Sequence, residues 1–135
     1  VRKWLPFVLI LLLVACSDEQ QQGVFLYKNA YIGDASAVSA IVEQLENSEQ
    51  FMQMELFTTA KPYAVNLQYA HISEQQAMRN ATYIFTLVQN VDVVQFTFAD
   101  EQYELTRQEI ESVYGLDVRN IHDEQKLQAL IEEKL

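Results

Sequence analysis

Apolar and polar positions change period several times along the chain, and each change marks an element. Val38, Ile41, Val42 and Leu45 recur at helical spacing and form one stripe facing a core. Asp34 precedes them, after a turn at Gly33, and its carboxylate can accept from the first free amides of that helix. The stripe predicts a helix ending near Asn47. From Phe51 the period drops to two. Met52, Met54 and Leu56 alternate with Gln53 and Glu55, a strand with one wet face. Thr59-Ala60-Lys61-Pro62 turns the chain. Tyr63, Val65, Leu67 and Tyr69 then alternate with Ala64, Asn66 and Gln68, and the two runs predict an antiparallel hairpin.

The rhythm then repeats. Ser73 and Gln76 form a capping box, and Ala77, Ala81, Ile84, Phe85 and Val88 supply the inner stripe of a second helix, with Leu87 beside it. After Asn90 the period is two again: Val94, Phe96 and Phe98, a turn at Asp100-Glu101, then Tyr103 and Leu105 returning. Thr106-Arg107-Gln108-Glu109 is a second capping box, opening a short helix with Ile110, Val113 and Tyr114 inward and Gly115 as C-cap. Asp123 caps a last helix with Leu127, Leu130 and Ile131 inside. The opening stretch, residues 24–31, is apolar and aromatic and reads as extended. Met52, Met54 and Met78 read as core filler. The sum is an α+β fold: two layers, a mostly antiparallel sheet built from two hairpins, and helices packed mainly on one face. One such domain fills residues 24–135, as the length and 50% hydrophobic content allow.

The first residues follow another pattern. Arg2 and Lys3 precede an apolar run from Trp4 to Ala15, and after Cys16 the chain turns polar at once. A short positive segment followed by about 7–15 apolar residues is a secretion signal. A membrane-crossing helix needs roughly 20 apolar residues, and Pro6 interrupts this run early. Leu13-Val14-Ala15-Cys16 resembles a lipobox. That resemblance implies a signal peptide over residues 1–15, cleavage before Cys16 and a diacylglyceryl group on its thiol. Residues 16–23 then read as the lipidated cysteine and a polar, Gln-rich tether. Two acyl chains anchor a domain stably where one does so marginally. The membrane, reached through Cys16, is thus one expected partner.

Charge narrows the others. Formal net charge is -10. Setting Arg2 and Lys3 aside, 9 less 2 leaves 7 Lys and Arg against 19 Asp and Glu, or -12. That sign disfavours nucleic acid and anionic headgroups, which attract basic clusters. Cys16 is the only cysteine, so no intramolecular disulfide forms.

Catalytic motifs are missing from the sequence. His71 and His122 stand alone without ligand spacing, and Asp100, Glu101 and Glu104 read as a solvated turn, so no metal or other cofactor is expected. There is no G-x-S-x-G or S-x-x-K, and the three glycines are too scattered to cradle a phosphate. An enzyme is therefore not expected. Tyr27, Tyr31, Tyr63 and Tyr69 are the candidate recognition surface, since exposed tyrosines give contact area at low entropic cost. The competing reading makes the strand tyrosines core residues.

Several segments carry a family resemblance: residues 27–34 (YKNAYIGD) with Ser36 and Val38, residues 90–96 (NVDVVQF), and residues 103–107 (YELTR) running to Tyr114-Gly115-Leu116-Asp117. They resemble domain-of-unknown-function family 4825, over most of residues 24–120. The resemblance implies a Gram-positive host and an extracytoplasmic domain, as a small lipoprotein or part of a larger membrane protein. It brings no activity with it. The expected address is the outer face of the cytoplasmic membrane, although Ser17 after Cys16 would permit outer-membrane delivery in a Gram-negative host. The leading expectation is a tethered, non-catalytic binding domain whose partner is an envelope protein, a peptide or a small ligand. The alternatives are an accessory or sensor of an envelope-stress or antibiotic-response system, by analogy with the family, and a carboxylate-dependent envelope hydrolase.

Overall fold

A computed structural model describes residues 23–135. The signal peptide, Cys16 and all of the tether but Gly23 lie outside the described residues. Four strands, β1 (Phe51–Phe57), β2 (Ala64–Tyr69), β3 (Val93–Phe98) and β4 (Glu101–Thr106), form one sheet in sequential order. Four helices accompany them: α1 (Ala35–Glu43), α2 (Glu74–Leu87), α3 (Arg107–Tyr114) and α4 (Glu124–Lys134). Both expected hairpins are present, β1 with β2 and β3 with β4. The hairpins join through a parallel β2–β3 pairing, with α2 as the crossover. The fold is α+β, with a mostly antiparallel, open sheet.

Local sequence explains where the helices begin. Asp34 Oδ1 accepts from Ala37 N at 3.1 Å. Ser73 and Gln76 close one capping box at 3.1 and 3.0 Å, and Thr106 and Glu109 close the other at 3.2 and 2.8 Å. Asp123 Oδ1 accepts from Gln125 N and Lys126 N. Gly115, at φ +74°, ends α3 in the left-handed conformation that glycine adopts without strain. The predicted helical stripes meet the inner sheet residues Val65, Leu67, Val94, Phe96 and Leu105 in one core. The opposite sheet face is polar and braced by amides: Gln53 to Gln68 at 2.6 Å, Thr97 to Asn66 at 2.9 Å and Gln95 to Glu104 at 2.8 Å.

Four sequence expectations give way. The stretch 24–31 is not one extended run: Gly23–Tyr27 form a 3₁₀ turn, and within the stretch only Ala30 makes a β-bridge, to Val88. Val24 and Phe25 are both buried while Leu26 is exposed, and a strand cannot send two successive side chains into one core. Helix α1 stops at Glu43, and Asn47, at φ +66°, leads a second 3₁₀ turn. Met52 is not core filler but 62% exposed. Phe51 pairs with Tyr69 and Gln53 with Gln68, so Met52 is the extra residue of a bulge. Val113 is 37% exposed because the inward arc of α3 is taken by Arg107, Ile110 and Tyr114.

Candidate functional site

Two polar assemblies stand out, and they differ in how fully their groups are occupied. The first closes the C-terminal end of α2. That helix runs straight into extended Val88 with no glycine, so its last carbonyls need donors from elsewhere. Arg107, only 9% exposed, donates from Nη1 to Phe85 O at 2.7 Å, from Nη2 to Val88 O at 2.8 Å and from Nε to Val91 O at 3.1 Å. Its guanidinium lies 5.1 Å from the Phe85 ring centre. Lys28 Nζ reaches Thr86 O and Arg119 O, both at 2.7 Å. Arg119 donates to Gln89 O and grips Asp117 with Nε and Nη2.

Three cations thus sit where the helix dipole is negative. Burial pushes Arg107 down to about 10, against the pull of Asp117, Glu111 and Asp92, and leaves it charged at neutral pH. Burial likewise lowers Lys28. The bonds from Arg119 hold the Asp117 carboxyl below its usual range. An open groove of about 810 Å³ runs past Lys61, Asp92, Arg107 and Glu111, but Arg107 spends its donors inward on carbonyls. This assembly is a clamp.

The second assembly is a cleft of about 470 Å³ between the end of α1, α2 and α4. Arg79, Asn80 and Tyr83 come from α2, at helical spacing beside its apolar stripe. Glu124, Gln128, Ile131 and Glu132 come from one face of α4, and Gln44, Leu45 and Glu46 from the end of α1, with Val24 completing the lining. Asn80, 1% exposed, donates to Glu46 O at 2.8 Å and ties α2 to the α1 end. The charged contacts here are loose. Arg79 Nη1 stands 3.6 Å from Glu46 Oε2, and Tyr83 Oη reaches Glu124 Oε1 only at 3.4 Å. Arg79 Nε is buried with no hydrogen-bond partner. Burial raises the Tyr83 phenol and Glu124 adds to the rise, while Gln128 opposes it.

The sequence-proposed tyrosines do not make a common surface. Tyr69 is 1% exposed, so it leaves the candidate recognition surface and joins the core. It faces inward with Val65 and Leu67, and its ring packs on Phe51 and Phe96. Tyr27 and Tyr63 are half-buried against the core, Tyr63 with Lys61 Nζ 5.8 Å over its ring. Tyr31 alone is largely exposed, at 59%. Among the described residues no group of three or more His, Cys, Asp or Glu is placed to hold a metal ion. No described helix is long and apolar enough to cross a membrane.

Sequence reasoning missed both assemblies. Arg107 was legible only as a member of a capping box. The cleft residues are scattered over four segments, and their only trace is the polar 79–80–83 spacing on α2.

The family model described as a domain of unknown function (DUF4825) matches residues 24–111, well over half of the chain. The chain belongs to the DUF4825 family. The match contains Lys28 and Arg107 of the clamp and Arg79, Asn80 and Tyr83 of the cleft. It ends inside α3, so the α4 wall of the cleft lies beyond the DUF4825 match. No curated protein and no solved structure matches the chain.

Proposed function

We propose that this DUF4825 protein is a lipoprotein on the outer face of the cytoplasmic membrane, whose domain is a non-catalytic binding module. The address rests on the Leu13–Cys16 lipobox behind its positive and apolar segments. The binding reading is carried by one observation: the cleft between α1, α2 and α4 combines a pocket of ligand size with polar groups left loosely held. Arg107 of the clamp, by contrast, spends its donors on three backbone carbonyls.

Growth with a radiolabelled fatty acid tests the address. The wild-type chain takes up label and sediments with membranes, and Cys16→Ala loses both. Label persisting on Cys16→Ala would end the lipoprotein reading. For the binding reading, cells are crosslinked with wild-type protein and with Arg79→Met. Adducts lost in the variant support the cleft as the binding seat, and identical adduct patterns count against it.

A further inference from the structure

Independently of the cleft, we infer that the outer edge of β4 takes up an extended, basic segment of another protein as a fifth strand, with one apolar side chain seated in a hollow beside it. The sheet ends at β1 on one side and β4 on the other, and among the described residues no strand pairs beyond either. The two edges are unequal. The bulge at Met52 breaks the regular spacing of β1. Strand β4 pairs with β3 without a shift from Glu101 to Thr106. Arg107 N donates to Asp92 O at 2.9 Å and continues that ladder. Backbone groups alternate in direction along an antiparallel strand, so Tyr103 and Leu105 turn theirs to β3 while Gln102 and Glu104 turn theirs outward. Thr106 N, next in the outward series, is taken by Glu109 Oε2 at 2.8 Å. The outward donors and acceptors of Gln102 and Glu104 are what an added strand would pair with.

A hollow of about 360 Å³ opens along the same edge, between β4 and the start of α2. Its floor is apolar: Ile72 and Ala77 are buried, and Phe98 and Tyr103 are half-buried. A residue set across from Tyr103 on an added strand falls in a non-hydrogen-bonded pair, where side chains stand closest. It shares the inner side of the sheet with Tyr103 and so points toward the hollow. Its neighbours on the added strand lie over the polar face, beside Gln102 and Glu104. Charge chooses the occupant. Glu74 and Glu101 line the hollow, Glu104 is exposed beside it, and no Lys or Arg is in the lining. Burial raises the Tyr103 phenol, and the Glu74 and Glu109 carboxylates add to the rise. Opposite charges paired across strands stabilise, and like charges destabilise. A second copy of β4 would crowd Glu101 and Glu104 of both copies along one ladder with no cation among them. A segment in which lysine or arginine flanks an apolar residue fits.

The test titrates the full chain, in nonionic detergent micelles, into dye-labelled Lys-Val-Lys-Leu-Lys amide and follows fluorescence anisotropy. Laid antiparallel with its leucine across from Tyr103, this peptide turns the amides of its last two lysines to the edge and those of valine and leucine away from it. Two isomers of equal charge separate pairing from mere attraction between a basic peptide and an acidic surface. N-methylation of those two lysine nitrogens should weaken binding about tenfold or more, and N-methylation of the valine and leucine nitrogens should leave it within about threefold. Gln102→Pro removes one outward donor at an edge that tolerates proline, and Glu104→Lys reverses the charge beside the peptide. Both should weaken the unmethylated peptide, and Glu104→Lys should bring Glu-Val-Glu-Leu-Glu amide up toward it. If Gln102→Pro fails to fold, the two isomers decide alone. Equal binding of the isomers, equal binding of the lysine and glutamate peptides to the wild type, or no binding up to about 1 mM overturns the inference.

Discussion

Tyr69 buries a phenol with no close hydrogen-bond partner, only Asn80 lying near it. Burial pushes its titration up to about 12, with Asn80 beside it offsetting part of the rise. In the unfolded chain the same phenol ionises near its ordinary value of about 10. The folded state therefore keeps a proton that the unfolded state releases, and stability falls as pH climbs from about 10 to about 12. Below 10 the contribution is complete. Two pH units correspond to roughly 2.7 kcal/mol. Tyr69→Phe has no proton to lose, so urea unfolding should show the wild type losing stability relative to this variant across that window. Near pH 7 the variant should be equal or slightly more stable, because it removes an unpaired hydroxyl. Parallel pH curves for the two proteins would place the phenol in contact with solvent. The sequence offered Tyr69 both as surface and as core. Its alternation with Val65 and Leu67 already favoured the core, and burial decides it. Arg107 was harder to read. Charged residues are rarely buried, and its sequence neighbours spoke only of a helix start. What it serves is the far end of another helix, whose missing C-cap glycine is visible only once Phe85, Val88 and Val91 are seen together.

Strand β1 shows how far a periodic pattern carries. Met54 and Leu56 were read correctly as inward, and extending the period backwards placed Met52 beside them. The chain solves a phase conflict instead. Phe51 packs on Tyr69 and belongs to the core face, yet it lies three residues, an odd number, from Met54. One extra residue at Met52 resets the phase, because the bulge sets two residues against one on β2. A pattern search cannot see this, since it scores alternation and a bulge is a break in alternation. Deleting Met52 brings Phe51, Gln53, Met54, Glu55 and Leu56 into unbroken in–out order. That deletion should change stability by less than about 1 kcal/mol, because no buried side chain is lost or turned outward. Deleting Glu55 instead puts Met54 and Leu56 out of phase and should cost several-fold more. Denaturation midpoints of the two deletions check this. Equal losses would mean that β1 contributes to the sheet without a fixed register.

At the scale of the whole molecule, the sheet was legible as two hairpins in one layer, but the pairing that joins them was not. Alternation tells which face a residue takes and says nothing of which strand lies beside it. The parallel β2–β3 junction follows from what lies between: a helix of 14 residues, long enough for the crossover that parallel neighbours require. The last helix raises the complementary question, because the DUF4825 match stops before it. Leu127 and Ile131 of α4 are buried in the same core as Val118 and Ile110, while Glu124 and Glu132 face the cleft. One short helix thus closes the core with two residues and walls the candidate site with others. A chain ended after Asn120 loses the burial of both apolar side chains, roughly 3–6 kcal/mol at about 1.5–3 each. That figure counts only these two side chains, and the ordering entropy of α4, no longer spent, offsets part of it. Against a total of about 5–15 kcal/mol, the truncated chain should still fold, with a clearly lower urea midpoint and one cooperative transition. Crosslinked adducts seated in the cleft should disappear, because the Glu124 and Glu132 wall is gone. Leu127→Ala should lower stability by about 2–5 kcal/mol and keep those adducts, which separates the two duties of the helix. A truncated chain with an unchanged midpoint would show that α4 only rests on a core completed by the DUF4825 residues.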